Sequence, residues 1–271
     1  MSLDLSIVTA TWNKAEHLIQ YFVSLGNQTF NHDRFEVIVV DDGSTDHTTP
    51  VIREARKIFD FKIRAFYLDR PGVHTACLPH NFGIKRAESD IIVQVSPDII
   101  MAKDALELHY AYQTMGAQHL WVFARCYNVH SPVAENLLKT VPWGEDFRQL
   151  ESLFIGEYHH STYWSIPYCA SLRKEWYEKL RGYDESYPTT FPDDSDFVVR
   201  AWASGVETFN AMDIWSAHLW HEQHDPQCPE DCKCPLHAKD LTSPGKDMKF
   251  NGREEDLIRN PLSWGEFEKA E

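Results

Sequence analysis

The residues able to do chemistry in this sequence gather in a few short stretches. The densest holds Cys228, Cys232, Cys234 and His237, three thiols and an imidazole within ten residues. Four such ligands can close a tetrahedral zinc site and fix a tail that lacks its own core. The spacing is irregular compared with paired Cys-x-x-Cys units, so reduced surface thiols account for it equally well. A second stretch, Asp41-Asp42-Gly43-Ser44, sets two carboxylates and a glycine behind an apolar run. A carboxylate there can accept hydrogen bonds from a base N–H or a ribose hydroxyl, and the glycine permits close approach; alone, the segment is also an ordinary turn. A third, Asp193-Asp194-Ser195-Asp196, crowds acids where a helix begins. Such acids can take a proton from a hydroxyl or merely match the helix dipole. The pair His218 and His221 offers two imidazoles, and Ser96-Pro97-Asp98 offers one carboxylate; neither specifies a function by itself.

These residues need elements to hold them. Leu5 to Thr9 and Phe35 to Val40 are apolar, β-branched runs, and Ala15 to Leu25 between them has helical spacing, which predicts a β-α-β unit. A helix is predicted from Thr48 to Phe59, a strand from Ile63 to Leu68, a helix from Ala76 to Ala87 and a strand from Ile91 to Val95. Such alternation implies a mostly parallel sheet covered by helices, with the ligand crevice beyond the carboxyl ends of the strands. Further on, Ala102 to Met115 reads as a helix, Leu120 to Tyr127 as a strand, Ser171 to Leu180 and Phe197 to Ser204 as helices, and Glu207 to Phe209 as a short strand. Ser131 to Ser165, rich in Trp, Tyr, His and Glu, reads as loops over the crevice, and after Asp225 the apolar periodicity fades.

Taken in order, the stretches resemble glycosyltransferase family 2. Ser6-Ile7-Val8-Thr9-Ala10-Thr11-Trp12-Asn13-Lys14, followed by Glu36 to Asp46, is similar to that family's opening. The resemblance implies an α/β fold of the GT-A type: a Rossmann-like mixed, mostly parallel sheet flanked by helices, spanning residues 1–224, with a Cys- and Pro-rich appendage at 225–271. It implies donor contacts from Thr9, Ala10, Thr11, Asn13, Asp41 and Asp42. Asp69-Arg70-Pro71-Gly72-Val73 and Asn81-Phe82-Gly83 resemble the loop and helix before the metal motif, with Arg70 and Asn81 toward the pyrophosphate. Ser96-Pro97-Asp98 occupies the place of the family's Asp-x-Asp, so Asp98 becomes the metal ligand. Ser96, beside Pro97, would meet the ribose or sugar through its hydroxyl.

Gly182-Tyr183-Asp184-Glu185 and Asp193-Asp194-Ser195-Asp196 resemble the Gly-x-Asp-Glu and Glu-Asp-x-Asp motifs, with Asp193 replacing Glu. This makes Asp194 the general base, with Asp193 at the acceptor hydroxyls and Asp196 bracing the helix. The downstream His-x-x-His is similar to the metal-binding segment of galactosyltransferase-like GT-A enzymes, adding His221 and His218 to Asp98. Imidazole ligands favour manganese, with magnesium as the alternative. The implied reaction is inverting, metal-assisted transfer from a nucleoside-diphosphate sugar, by family habit a UDP-sugar, to a hydroxyl on a carbohydrate or small glycoside. Trp143-Gly144-Glu145-Asp146 imitates the acidic motif but lacks its second Asp.

Composition limits the alternatives. A formal net charge of -15 argues against non-specific nucleic-acid binding through a broad basic face. No run of about 18 apolar residues is present to span a bilayer, and the opening residues lack a basic leader, so the expectation is a cytoplasmic protein. A nucleotidyltransferase would show a Gly-rich basic loop after its first strand, where this chain has Thr9-Ala10-Thr11-Trp12-Asn13. A non-catalytic sugar-binding relative is the other alternative, suggested by Ser96.

Overall fold

The structure is a computed structural model and describes residues 3–70, 75–129, 136, 148, 154–158, 168–187, 193–221 and 257–267. In chain order the elements are β1 (Leu5–Thr11), α1 (Ala15–Gly26), a single 3-10 turn (His32–Arg34), β2 (Phe35–Asp41), α2 (Thr48–Ile58), β3 (Lys62–Tyr67), α3 (Cys77–Arg86), β4 (Ile91–Val95) and β5 (Ile99–Met101). They continue with α4 (Ala105–Met115), β6 (Leu120–Val129), β7 (Phe154–Tyr158), β8 (Cys169–Arg173), α5 (Lys174–Leu180), α6 (Asp193–Ala203) and β9 (Glu207–His218).

The strands form one sheet in the order β3-β2-β1-β4-β8-β6-β9-β5, with β7 paired to β6. Strands β1 to β4 run parallel, so their carboxyl ends share one edge. Strand β8 is antiparallel to both β4 and β6, and β5 is antiparallel to β9, which makes the sheet mixed. Successive strand residues face opposite sides. Ile7, Val37, Val39 and Val93 therefore pack with Leu18 and Phe22 of α1 and Leu106 of α4. Their neighbours Val8, Ile38, Val40 and Ile92 pack on the other side with Phe82 of α3, Tyr177 of α5 and Phe197 of α6. Helices cover both faces, and continuous apolar runs such as Val37 to Val40 suit that burial.

Two expectations change. Ser171 to Arg173 belong to β8, and only Lys174 to Leu180 are helical. The strand Cys-Ala-Ser-Leu-Arg has no β-branched residue, yet it is buried between β4 and β6, so tertiary pairing overrides propensity. The short strand at Glu207 to Phe209 extends to His218, its register shifting against β6 between Ala124 and Arg125.

Residues 257–267, which the sequence groups with the appendage, pack onto the domain. Trp264 is buried in the α3/α5/α6 side of the core. Asn260 Nδ2 donates to the carbonyls of Arg181 and Tyr183, and Lys85 Nζ donates to the Trp264 carbonyl at 2.8 Å.

Candidate active site

The turn from β4 to β5 projects Asp98 at the carboxyl edge. Pairing of β5 with β9 sets Ile99 opposite His218, and the Leu219 N–H donates to the Asp98 carbonyl at 2.8 Å. This brings together groups more than a hundred residues apart. Around Asp98 Oδ2 stand Lys14 Nζ at 3.3 Å, His221 Nε2 at 3.5 Å and His218 Nε2 at 3.7 Å. Burial alone would push the Asp98 carboxyl up, but His218, Lys14, His221 and His17 together hold it down at about 2. Burial lowers the His218 pKa below the ordinary histidine value, against the pull of Asp98. A carboxylate beside two imidazoles is a donor set that fits a divalent cation. The ligand atoms of Asp98, His218 and His221 lie within 4.8 Å of one another. His17 stands edge-on to His221, ring centroids 6.1 Å apart, with its Nε2 at 3.2 Å from the Trp220 carbonyl.

The loops after β1 and β2 are laced together. Asn13 adopts a left-handed backbone at φ 50. Its Oδ1 accepts from the Thr45 and Asp46 N–H groups at 2.8 and 3.3 Å, and its own N–H donates to Ser44 Oγ at 2.8 Å. Asp41 orders the turn from within, accepting from the Ser44 N–H at 2.9 Å and the Thr49 hydroxyl at 2.6 Å. Gly43 sits at φ 77, where a Cβ would come within 3.0 Å of the Arg70 carbonyl. Arg70 in turn pairs with Asp42, Nη1 to Oδ1, at 3.3 Å. Asp42 opens onto a pocket lined by Ala10, Thr11, Trp12, Thr75, Ala76 and Pro79. Among its walls, the buried Thr11 hydroxyl lacks a hydrogen-bond partner among the described residues.

The acidic motif forms the first turn of α6. Phe197 anchors this helix in an aromatic cluster, stacked on Tyr177 at 5.2 Å and tilted against Tyr183 at 4.6 Å. Asp196 is fully buried. It pairs with the equally buried Arg200, Nε to Oδ2, at 2.7 Å and accepts from the Tyr187 hydroxyl at 3.2 Å. Arg200 also donates to the Leu180, Gly182 and Leu257 carbonyls. Asp193 is 1% exposed; its Oδ2 accepts from the Cys77 thiol at 3.2 Å, and its buried Oδ1 has no partner among the described residues. Asp194 alone of these three acids remains partly open to solvent. Desolvation raises the carboxyls of Asp193, to about 7, and of Asp194, well above the usual carboxylate range; the Asp193 charge adds to the shift at Asp194.

The sequence profile of "Glycosyl transferase family 2" matches residues 6–181. The chain belongs to this family. TarS, a poly(ribitol-phosphate) beta-N-acetylglucosaminyltransferase of Staphylococcus aureus (strain Mu50 / ATCC 700699), is 29% identical over 105 residues, covering 39% of this chain and 18% of that protein. Validoxylamine A glucosyltransferase of Streptomyces hygroscopicus subsp. jinggangensis (strain 5008) is 23% identical over 240 residues, covering 81% of this chain and 56% of the relative. Among solved structures, S. aureus TarS 1-349 in complex with UDP-GlcNAc has a TM-score of 0.60 at 17% identity, over 82% of this chain and 60% of that one. A mannosyltransferase from Pyrobaculum calidifontis, in complex with GDP-Man and Mn2+, has a TM-score of 0.59 at 19% identity, over 82% and 59% of the two chains. The chain thus spans less than two thirds of the length of each of these relatives. The fold is the mixed α/β GT-A sheet of these structural neighbours.

Within this family 2 domain, the sequence-predicted residues fall into two groups. Asp42, Ala10 and Thr11 line the pocket, Arg70 pairs with Asp42, Ser96 and Pro97 are partly exposed beside Asp98, and Asp98, His218 and His221 meet. Others stand behind the site. Thr9 is buried, its hydroxyl shared between Tyr21 Oη and the Val95 carbonyl. Asn13 and Asp41 organise loops, and Asp196 secures α6. Asn81 is fully buried rather than turned to a pyrophosphate: it donates to the Tyr183 carbonyl at 2.8 Å and Glu185 Oε1 at 2.9 Å, and accepts from the Tyr183 N–H at 2.8 Å. Gly182 is required there, since a Cβ would fall 2.1 Å from Asn81 Oδ1.

Lys14, His17, Cys77 and the pocket residues Trp12, Thr75, Ala76 and Pro79 had no role assigned from sequence. Lys14 closes the Ser6 to Lys14 stretch that resembles the family's opening, which is the signal that points to it; nothing in sequence points to Cys77. Cys228, Cys232, Cys234 and His237, like Trp143 to Asp146, lie outside the described residues. Among the described residues, no helix is long and apolar enough to cross a membrane.

Proposed function

We propose that this protein is an inverting glycosyltransferase that moves a sugar from a nucleoside-diphosphate sugar, UDP being the favoured nucleotide, to a hydroxyl of a carbohydrate or small glycoside. Asp98, His218 and His221 would hold a divalent cation, manganese before magnesium. Such a cation would neutralise charge on the departing diphosphate. Asp42 and Arg70, with Trp12 and Thr11, would receive the nucleoside. Asp194 would take the acceptor proton on its carboxylate as the hydroxyl oxygen attacks the anomeric carbon.

The observation that carries this reading is how the three parts adjoin. The pocket wall at Trp12 lies two residues from Lys14, which reaches Asp98, and its wall at Ala76 precedes Cys77, which reaches Asp193. Nucleotide pocket, cation ligands and acidic motif are thus joined through single side chains. Solved relatives in complex with UDP-GlcNAc and with GDP-Man and Mn2+ support a nucleotide-sugar donor.

The test is diphosphate release from a panel of nucleotide sugars with manganese, magnesium or chelator, each with and without glycoside acceptors. Release that needs a divalent cation and rises with acceptor supports the reading. Release undiminished in excess chelator removes the cation from it, and binding without any release favours the sugar-binding relative.

A further inference from the structure

Asp98 Oδ2 is contested. Of the three basic groups within 4 Å of it among the described residues, the nearest is the Lys14 ammonium, at 3.3 Å against 3.5 and 3.7 Å for the imidazoles. Asp98 is 7% exposed and so cannot rely on water to balance its charge; Lys14 supplies the counter-charge. The backbone of Lys14 is fixed. Its N–H donates to Thr48 Oγ1 at 3.0 Å and its carbonyl accepts from the Leu18 N–H at 2.9 Å. Its side chain is a quarter exposed, so the stem can turn about a fixed root. A divalent ion on Asp98, His218 and His221 would stand against the same oxygen as this ammonium, and two like charges cannot share it without strong repulsion in a buried setting.

We propose that Lys14 is a tethered counter-cation of the metal site: it occupies Asp98 until a divalent ion arrives, then passes to the diphosphate of the nucleotide sugar, so that ion and nucleotide bind cooperatively. This rests on the cation-binding reading of Asp98, His218 and His221. An ion arriving alone must turn the lysine out into solvent and leave it without an anion. When a diphosphate arrives with the ion, the lysine exchanges one anion for another, and Trp12, two residues away, lines the pocket where that anion's nucleoside would sit. The coupling is reciprocal: nucleotide tightens the ion and the ion tightens nucleotide by the same factor.

The test is calorimetric and EPR titration of Mn2+ into the full chain, with and without UDP, for the wild type, Lys14→Met, Lys14→Arg and Asp98→Ala, each first checked for unchanged thermal unfolding. Methionine keeps the stem's bulk and removes the charge. Without UDP, Lys14→Met should bind Mn2+ about tenfold tighter than the wild type, whereas Lys14→Arg should not. UDP should tighten Mn2+ about tenfold or more in the wild type and distinctly less in Lys14→Met. Equal or weaker Mn2+ binding by a folded Lys14→Met, with binding still lost in Asp98→Ala, keeps the metal site and overturns the lysine's role. No Mn2+ binding by wild type or Lys14→Met, with or without UDP, overturns both.

Discussion

The Cys77 thiol donates to the Asp193 carboxylate across 3.2 Å, joining the first turn of α3 to the first turn of α6. A hydrogen bond to an ionised carboxylate favours its charged form. Cys77→Ala leaves a buried oxygen without a donor, so the Asp193 carboxyl should rise further and the acid limb of kcat/KM should move to higher pH. Cys77→Ser, which keeps a donor, should restore most of the wild-type profile. The check is kcat/KM across pH for the three proteins; superimposable curves would deny Cys77 any part in setting the acidic motif.

Asp194→Asn separates function from stability. On the proposed general-base role of Asp194, this variant should lose about 10²-fold to 10⁴-fold in turnover, with donor affinity largely kept. Wild-type kcat/KM should decline as the pH is lowered and the Asp194 carboxyl, raised by burial and by the Asp193 charge, takes up a proton well above the ordinary aspartate range. Stability runs the other way. Above the ordinary aspartate value of 3.8 the unfolded chain releases a proton that the raised Asp194 carboxyl still holds in the folded protein, so stability falls as pH rises from there toward the raised folded value. Asp194→Asn should therefore raise the melting temperature at pH 8 more than at pH 5. A melting temperature lowered equally at both would show that the carboxylate is not strained by its surroundings.

Arg200→Met should strip Asp196 of its buried partner. Breaking such a pair by removing one member typically costs about 3 to 5 kcal/mol. Because Arg200 also binds the Leu180, Gly182 and Leu257 carbonyls, the upper part of that range is expected, read by denaturant unfolding. A loss below about 1 kcal/mol, the scale of exposed ion pairs, would mean that the pair is hydrated in solution.

His221→Ala and His218→Ala should both weaken Mn2+, and Asp98→Ala should weaken it most, because Asp98 contributes the charge. Mn2+ titration followed by EPR reads this directly. His17→Ala should weaken Mn2+ less than His221→Ala, since His17 approaches the site through the Trp220 carbonyl and the His221 ring edge.

Strands β1, β2 and β4 could be read because they are largely apolar runs buried on both faces, and Ile91–Val95 is found within its expected bounds. Strand β8 was not legible, since Cys169-Ala170-Ser171 carries no strand signature and is held only by its neighbours β4 and β6. In the site, motif order brought out Asp98, His218 and His221, whose meeting depends on β5 pairing with β9. Asn81 shows the limit of motif reading: a polar residue in a motif looks the same whether it faces a ligand or, as here, a buried loop. A residue that acts through one hydrogen bond to a distant motif, as Cys77 does to Asp193, leaves no spacing to notice.

The return of residues 257–267 also has a consequence in time. Asn260 ties off the Arg181 to Tyr183 loop, Leu257 receives Arg200, and Gly265 and Trp264 engage Glu185 and α3. During synthesis, the first strands and the pocket beside Asp42 leave the ribosome long before these partners exist. The nascent chain can therefore form the pocket beside Asp42 and seat α6 on Tyr177, Tyr183 and the Leu180 and Gly182 carbonyls first, and that helix gains its last contact, Arg200 to the Leu257 carbonyl, only once residues 257–267 have emerged and docked.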